Sequence, residues 1–98
     1  MTLSDEFGQA CREAVEECRL LGYIPTVWIS MMNQAGATEA AKRLLVNGDI
    51  QSGFERLIKI GRRDLTVEHA VLEERWEELF DERHREAARW RLAQAQSI

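Results

Sequence analysis

Apolar residues recur at threes and fours along almost the whole chain, the spacing that lines one face of an α-helix. Near the N-terminus, Phe7, Ala10, Ala14, Cys18 and Leu21 form such a stripe, opposite Arg12, Glu13, Glu16 and Glu17. Ser4 or Thr2 supplies a cap and Gly22 a left-handed stop, so a first helix is expected over residues 4–21. Pro25 suits the opening position of a second. There Val27, Met31 and Ala35 share a face, Trp28 and Met32 lie beside them, and Gly36 closes the segment. Apolar almost all round, this short helix is expected to be the central and most buried one. Ala37, Ala40, Ala41, Leu44 and Leu45 make a third stripe that Asn47-Gly48 ends, and its small alanines invite close approach by a neighbour.

The pattern Ser52-Gly53-Phe54-Glu55 fits a capping box, followed by Phe54, Leu57 and Ile58 up to Gly61. Asp64 and Thr66 both offer caps for a segment holding Val67, Ala70, Val71, Trp76, Leu79 and Phe80. Residues 66–80 fit either one helix or two short turns. Asp81 caps a last helix reaching Gln96, with Ala87, Ala88, Leu92 and Ala95 as its inner edge. The acids at 74, 78, 82 and 86 repel one another at i, i+4 and mark a solvated face. No stretch alternates with period two. The expected fold class is therefore all-α: one domain, residues 1–98, built as a compact bundle of five or six short-to-medium helices. Residues 1–22 form its N-terminal amphipathic helix, 23–80 its core helices and 81–98 its charged C-terminal helix.

Length and composition agree with that reading. A chain of 98 residues and 11.3 kDa has material for one modest core, and a compact monomer of this mass exposes about 5,700 Å². Hydrophobic residues at 45% and charged residues at 31% lie far from disordered composition. The uncharged stretch from Leu20 to Thr38 is interrupted by Gly22, Pro25, Asn33, Gln34 and Gly36, so it is not read as a membrane span. The chain opens on no basic stretch followed by an apolar run, which makes the cytoplasm the expected location. Cys11 and Cys18 are two helical turns apart on one face. The rise between them, about 10.5 Å, exceeds the roughly 7 Å that a disulfide tolerates. They read as small apolar core residues of a reducing compartment.

The formal charge of -4 is unevenly spread. Residues 1–22 carry five acids and two arginines, and residues 64–86 carry nine acids against Arg75, Arg83 and Arg85. Residues 42–63 reverse this, with Lys42, Arg43, Arg56, Lys59, Arg62 and Arg63 against only Asp49 and Glu55.

The order of several short motifs resembles a small, uncharacterised bacterial helical module, found alone or as the tail of larger proteins. The resemblance rests on Gly22-Tyr23-Ile24-Pro25-Thr26, on Gly36-Ala37 with Ala40-Ala41-Lys42-Arg43-Leu44-Leu45, and on Gly53-Phe54-Glu55-Arg56-Leu57. Gly61-Arg62, Asp64-Leu65-Thr66-Val67-Glu68, Val71-Leu72, Trp76, Leu79-Phe80 and Ala88-Arg89 before Leu92 complete it, so it spans residues 21–92. The chain departs from that pattern at Arg63 and across residues 80–84. The resemblance implies no activity, cofactor or catalytic residue.

The residues themselves point away from turnover. Cys11 or Cys18 with His69 or His84 is the only thiol–imidazole combination, and no strained turn or oxyanion hole is apparent around either cysteine. The histidines are fifteen residues apart, without the paired spacing of a zinc site, and the glycines lack phosphate-loop spacing. No cofactor and no metal are expected. Two binding readings remain. Trp76 and Trp90, the latter between Arg89 and Arg91, are candidate contacts for a partner protein or a second copy in a homodimer. The alternative is a nucleic-acid-associated domain using the basic segment 42–63, unless Arg62 and Arg63 are consumed by Asp64, Glu68 or the acidic block.

Overall fold

Thr2 opens the first helix. In a computed structural model that describes residues 1–46 and 52–95, its hydroxyl accepts the Asp5 N–H while the Asp5 carboxylate accepts the Thr2 N–H, a reciprocal capping box. Helix α1 then runs Leu3–Leu20 and stops in a Schellman motif. Tyr23 N–H bonds the Cys18 carbonyl and Gly22 N–H the Arg19 carbonyl, at 2.9 and 3.0 Å. Gly22 sits at φ 83°, where a Cβ would be strained.

Helix α2 (Thr26–Ala35) and helix α3 (Ala37–Val46) are joined by one residue, Gly36. Its N–H closes α2 on Met32 while its carbonyl accepts Ala40 N–H to start α3, which demands its φ of 82°. Helix α4 (Ser52–Lys59) follows, then a 3₁₀ turn (Arg63–Leu65), helix α5 (Val67–Val71), a second 3₁₀ turn (Glu74–Leu79) and helix α6 (Glu82–Ala95). The expected stop at Asn47-Gly48, the Ser52 side chain of the expected capping box and Gln96 lie outside the described residues. The fold is all-α, six α-helices with no strand among the described residues. None of those helices is long and apolar enough to cross a membrane.

The centre of the bundle is α3, not α2. Ala37, Ala40, Ala41, Leu44 and Leu45 are all buried, and these mostly small side chains let α1, α2, α5 and α6 pack against one helix. In α2 only Met32 is buried; Val27 is 66% exposed, and Trp28, Ile29 and Met31 are half-buried. An uncharged helix is expected to hide on every side, but this one is covered mainly where it packs on α3.

Against α3 sits an aromatic cluster. Phe7 meets Trp76 and Phe80 edge to face, with ring centroids 5.4 and 5.2 Å apart. A smaller group, Phe54 with Leu92 and Ala95, ties α4 to α6. The accessible surface, 5918 Å², matches that of a compact monomer of this mass, about 5,700 Å².

Residues 66–80 resolve into two short pieces. Thr66 Oγ1 caps α5 by accepting His69 N–H at 3.1 Å. Asp64, the other expected cap, pairs with Arg62 instead. Asp81 does cap α6: its Oδ1 accepts His84 N–H at 3.1 Å, and His84 Nδ1 accepts Asp81 N–H at 3.3 Å.

Candidate functional site

Helix α1 carries two apolar ridges that share Phe7 and Cys18. One, through Cys11 and Val15, is buried against the core. The other, through Ala10 and Ala14, is half covered and faces a cleft of about 360 Å³. Leu21, expected to end that second stripe inside the core, is 44% exposed. The opposite wall is formed by Leu65, Thr66, Val67 and Ala70. Tyr23, Trp28 and Met31 line the flank given by α2 and the turn before it, and Phe54 and Leu57 of α4 lie near Tyr23. Ile24, 54% exposed, and Val27 carry the apolar lining out to the rim.

Leu44 and Glu68 belong to the deepest lining. The Glu68 carboxylate is 2% exposed and pairs with the equally buried Arg91, Nη1 to Oε2, at 3.1 Å. Arg91 Nη2 also donates to the Leu44 carbonyl at 2.8 Å, so this one guanidinium joins α3, α5 and α6 beneath the cleft. Burial pushes the Glu68 carboxyl upward, against the pull of its own backbone amide and of Arg91. Beside it Thr66 Oγ1 both caps α5 and donates to the Arg63 carbonyl at 2.8 Å.

The two thiols that line the cleft are unreactive by environment. Burial raises the Cys11 thiol to about 12 and the Cys18 thiol in the same direction. Neither is in a disulfide. Among the described residues no group of three or more His, Cys, Asp or Glu is placed to hold a metal ion.

Both ends are held by aromatic contacts. Toward the C-terminus of α1, the Arg56 guanidinium lies 5.2 Å from the Tyr23 ring centroid. The Tyr23 hydroxyl presses on Gly53 so closely that a Cβ there has no room. Toward its N-terminus, Glu73 accepts from Trp76 Nε1 and from Arg75 Nε, each at 2.9 Å, while Arg75 stacks 4.5 Å from the Trp76 ring.

The expected contact residues separate sharply. Trp90 is 55% exposed on α6, and its neighbour Arg89 is a surface side chain paired with Glu82. Trp76 and Arg91 are not surface residues at all. Each is buried to within a few per cent, Trp76 because its ring completes the aromatic cluster and Arg91 because it neutralises Glu68. Of the basic segment, Arg43 pairs with Glu39, Arg62 with Asp64 and Glu17, and Arg63 donates to the Leu92 carbonyl. Arg56 covers Tyr23, Lys42 is half-buried and Lys59 is exposed. The acids at 74 and 78 lie in a 3₁₀ turn rather than an α-helix, and Glu82 is held by Arg85 and Arg89, so the expected i, i+4 repulsion is relieved. The cleft residues Ala10, Ala14 and Ile24 escaped the search for function, although an apolar sector on α1 wider than one ridge was their visible sign.

Comparison with protein families, with curated proteins and with solved structures finds no match to this chain.

Proposed function

We propose that this protein is a non-enzymatic interaction module that docks a partner protein in the cleft beside α1. The observation that carries the reading is the uncovered apolar sector running from Ala10 and Ala14 across the cleft to Ile24 and Val27. Open clefts lined largely by apolar side chains are the usual places where binding partners seat. The unreactive thiols fit the same reading, and two unpaired cysteines suit a reducing compartment such as the cytoplasm. The nucleic-acid alternative has less support, because Arg43, Arg56, Arg62 and Arg63 already have partners within the chain.

The test replaces both rim residues by serine, Ile24→Ser with Val27→Ser, in a protein whose helical circular dichroism is unchanged. Affinity capture with the parent protein is expected to retain one defined partner that the double variant loses. Trp90→Ala is expected to keep it. Equal capture by parent and rim variant, or loss only in Trp90→Ala, moves the site elsewhere.

A further inference from the structure

We propose that the deep part of the cleft binds a small uncharged molecule, an aromatic or aliphatic body of about ten to fourteen non-hydrogen atoms with one hydrogen-bonding oxygen. The inference goes beyond the docking reading. It concerns the floor of the cleft, and the rim residues Ile24 and Val27 stay open to the partner. Volume, neutrality and one unused hydroxyl carry it.

Volume comes first. The cleft holds about 360 Å³, within the range of small-molecule sites. It runs inward past the half-covered Ala10 and Ala14 to buried core residues, Cys18, Leu44 and Phe54 among them. An apolar cavity of about 150 Å³ takes a benzene, so on that scale this one takes two fused rings or an aliphatic body of the same size. Side chains that line a void lack dispersion partners on one side, and an occupant of matching size supplies them.

Neutrality comes second. The lining carboxylates are each held by an arginine: Asp64 by Arg62 and Glu68 by Arg91, both at 3.1 Å, and Glu73 by Arg75 at 2.9 Å. Burial raises both thiols, so they add no charge. A charged guest would lose its hydration without meeting an unpaired counter-charge, whereas a neutral one gives up little.

The hydroxyl is that of Tyr23. It lies against Gly53 and near Cys18, and all three residues line the cleft. The buried Thr66 hydroxyl spends its donor on the Arg63 carbonyl and accepts His69 N–H, but the Tyr23 hydroxyl bonds no described residue. A phenol both donates and accepts, so a guest's hydroxyl or carbonyl oxygen can bond it. An apolar cavity with a single polar handle orients its guest as well as holding it.

The experiment uses three probes of one shape: β-naphthol, naphthalene without the oxygen, and β-naphthoate with a negative charge. Binding to the full chain is followed by equilibrium dialysis. β-Naphthol is expected to saturate one site, at least about tenfold tighter than β-naphthoate and about fivefold tighter than naphthalene. Tyr23→Phe is expected to bring β-naphthol down to the level of naphthalene and to leave naphthalene unchanged. Ala14→Phe from one wall and Ala70→Phe from the other, each with unchanged helical circular dichroism, are expected to abolish binding of both. Ile24→Ser with Val27→Ser, the variant that loses the partner under the docking reading, is expected to bind β-naphthol within about twofold of the parent. No saturable binding overturns the inference, and the docking reading still stands or falls by its own capture test. Binding indifferent to the wall-filling variants, or lost only in the rim variant, places the molecule outside the floor and overturns it. β-Naphthoate binding as tightly as β-naphthol overturns the neutral class, and β-naphthol binding indifferent to Tyr23→Phe overturns the assigned handle.

Discussion

At the scale of single residues, the side chains that decide this molecule are those whose environment contradicts their chemical type. Cys11 is a nucleophile by type, but burial raises its thiol to about 12, so near neutral pH it stays protonated. The native protein is therefore expected to resist a small alkylating reagent at both cysteines and to react at both once denaturant is added. Mass spectrometry of the quenched reaction reads this directly, and rapid native labelling at Cys11 would refute it. The burial of the thiols was legible in the sequence because cysteine spaced with apolar neighbours counts as apolar. Glu68 and Arg91 were not legible. A charged residue announces solvent by default, and their partnership across 23 positions leaves no local trace. Trp76 was misjudged for the same reason in reverse: its neighbours in sequence are the charged Arg75 and Glu77, but its ring is buried edge to face against Phe7 with the Arg75 guanidinium over it.

At the scale of elements, periodicity did most of the work and phase explains its failures. The α3 stripe was readable whole because five apolar positions keep one phase and are all buried. From Val71 to Trp76 is a step of five, which on a continuous helix would turn the indole about 140° away from the core. The chain breaks at Glu73, whose carboxylate then receives the Trp76 N–H, and the ring returns to Phe7. The cap of α6 was visible as Asp81 alone; the structure adds His84 three residues later, which completes a capping box with imidazole in the place of a glutamate. Two capping variants test these local bonds. Thr66→Val strips α5 of its side-chain cap and removes the hydroxyl bond to the Arg63 carbonyl, which keeps the Thr66 N–H, an expected loss of about 1–2 kcal/mol in urea denaturation. Asp81→Ala adds a pH signature. The His84 amide holds the Asp81 carboxyl below the usual carboxylate range. The stability it contributes is therefore present above the ordinary carboxylate value and lost as pH falls through the depressed one. The midpoint difference between parent and Asp81→Ala is expected to be full near neutrality and to vanish in acid. A difference constant with pH would assign the effect to packing instead.

At the scale of the whole molecule, the floor of the cleft and the integrity of the bundle meet in one ion pair. Glu68 is 2% exposed, in the range of the apolar core, and sits where α3, α5 and α6 converge. Only a guanidinium brought in from α6 makes that tenable, since an unpaired buried carboxylate loses its hydration without compensation. Arg91→Met removes this compensation and also withdraws the donor from the Leu44 carbonyl, so an expected loss of about 3–5 kcal/mol follows. The sign of its pH dependence is opposite to that of Asp81. Burial already raises the Glu68 carboxyl, and removing Arg91 raises it further, so the folded state of Arg91→Met favours the protonated acid. Its stability is greatest below the ordinary carboxylate range and falls as pH rises through the elevated value. Adding Glu68→Leu to Arg91→Met removes the stranded acid and is expected to recover most of the loss at neutral pH. Additive losses from the two substitutions would show that the pair is two separate contacts, each replaceable alone. Recovery would show that the bundle tolerates an apolar floor. The buried pair would then be dispensable for folding.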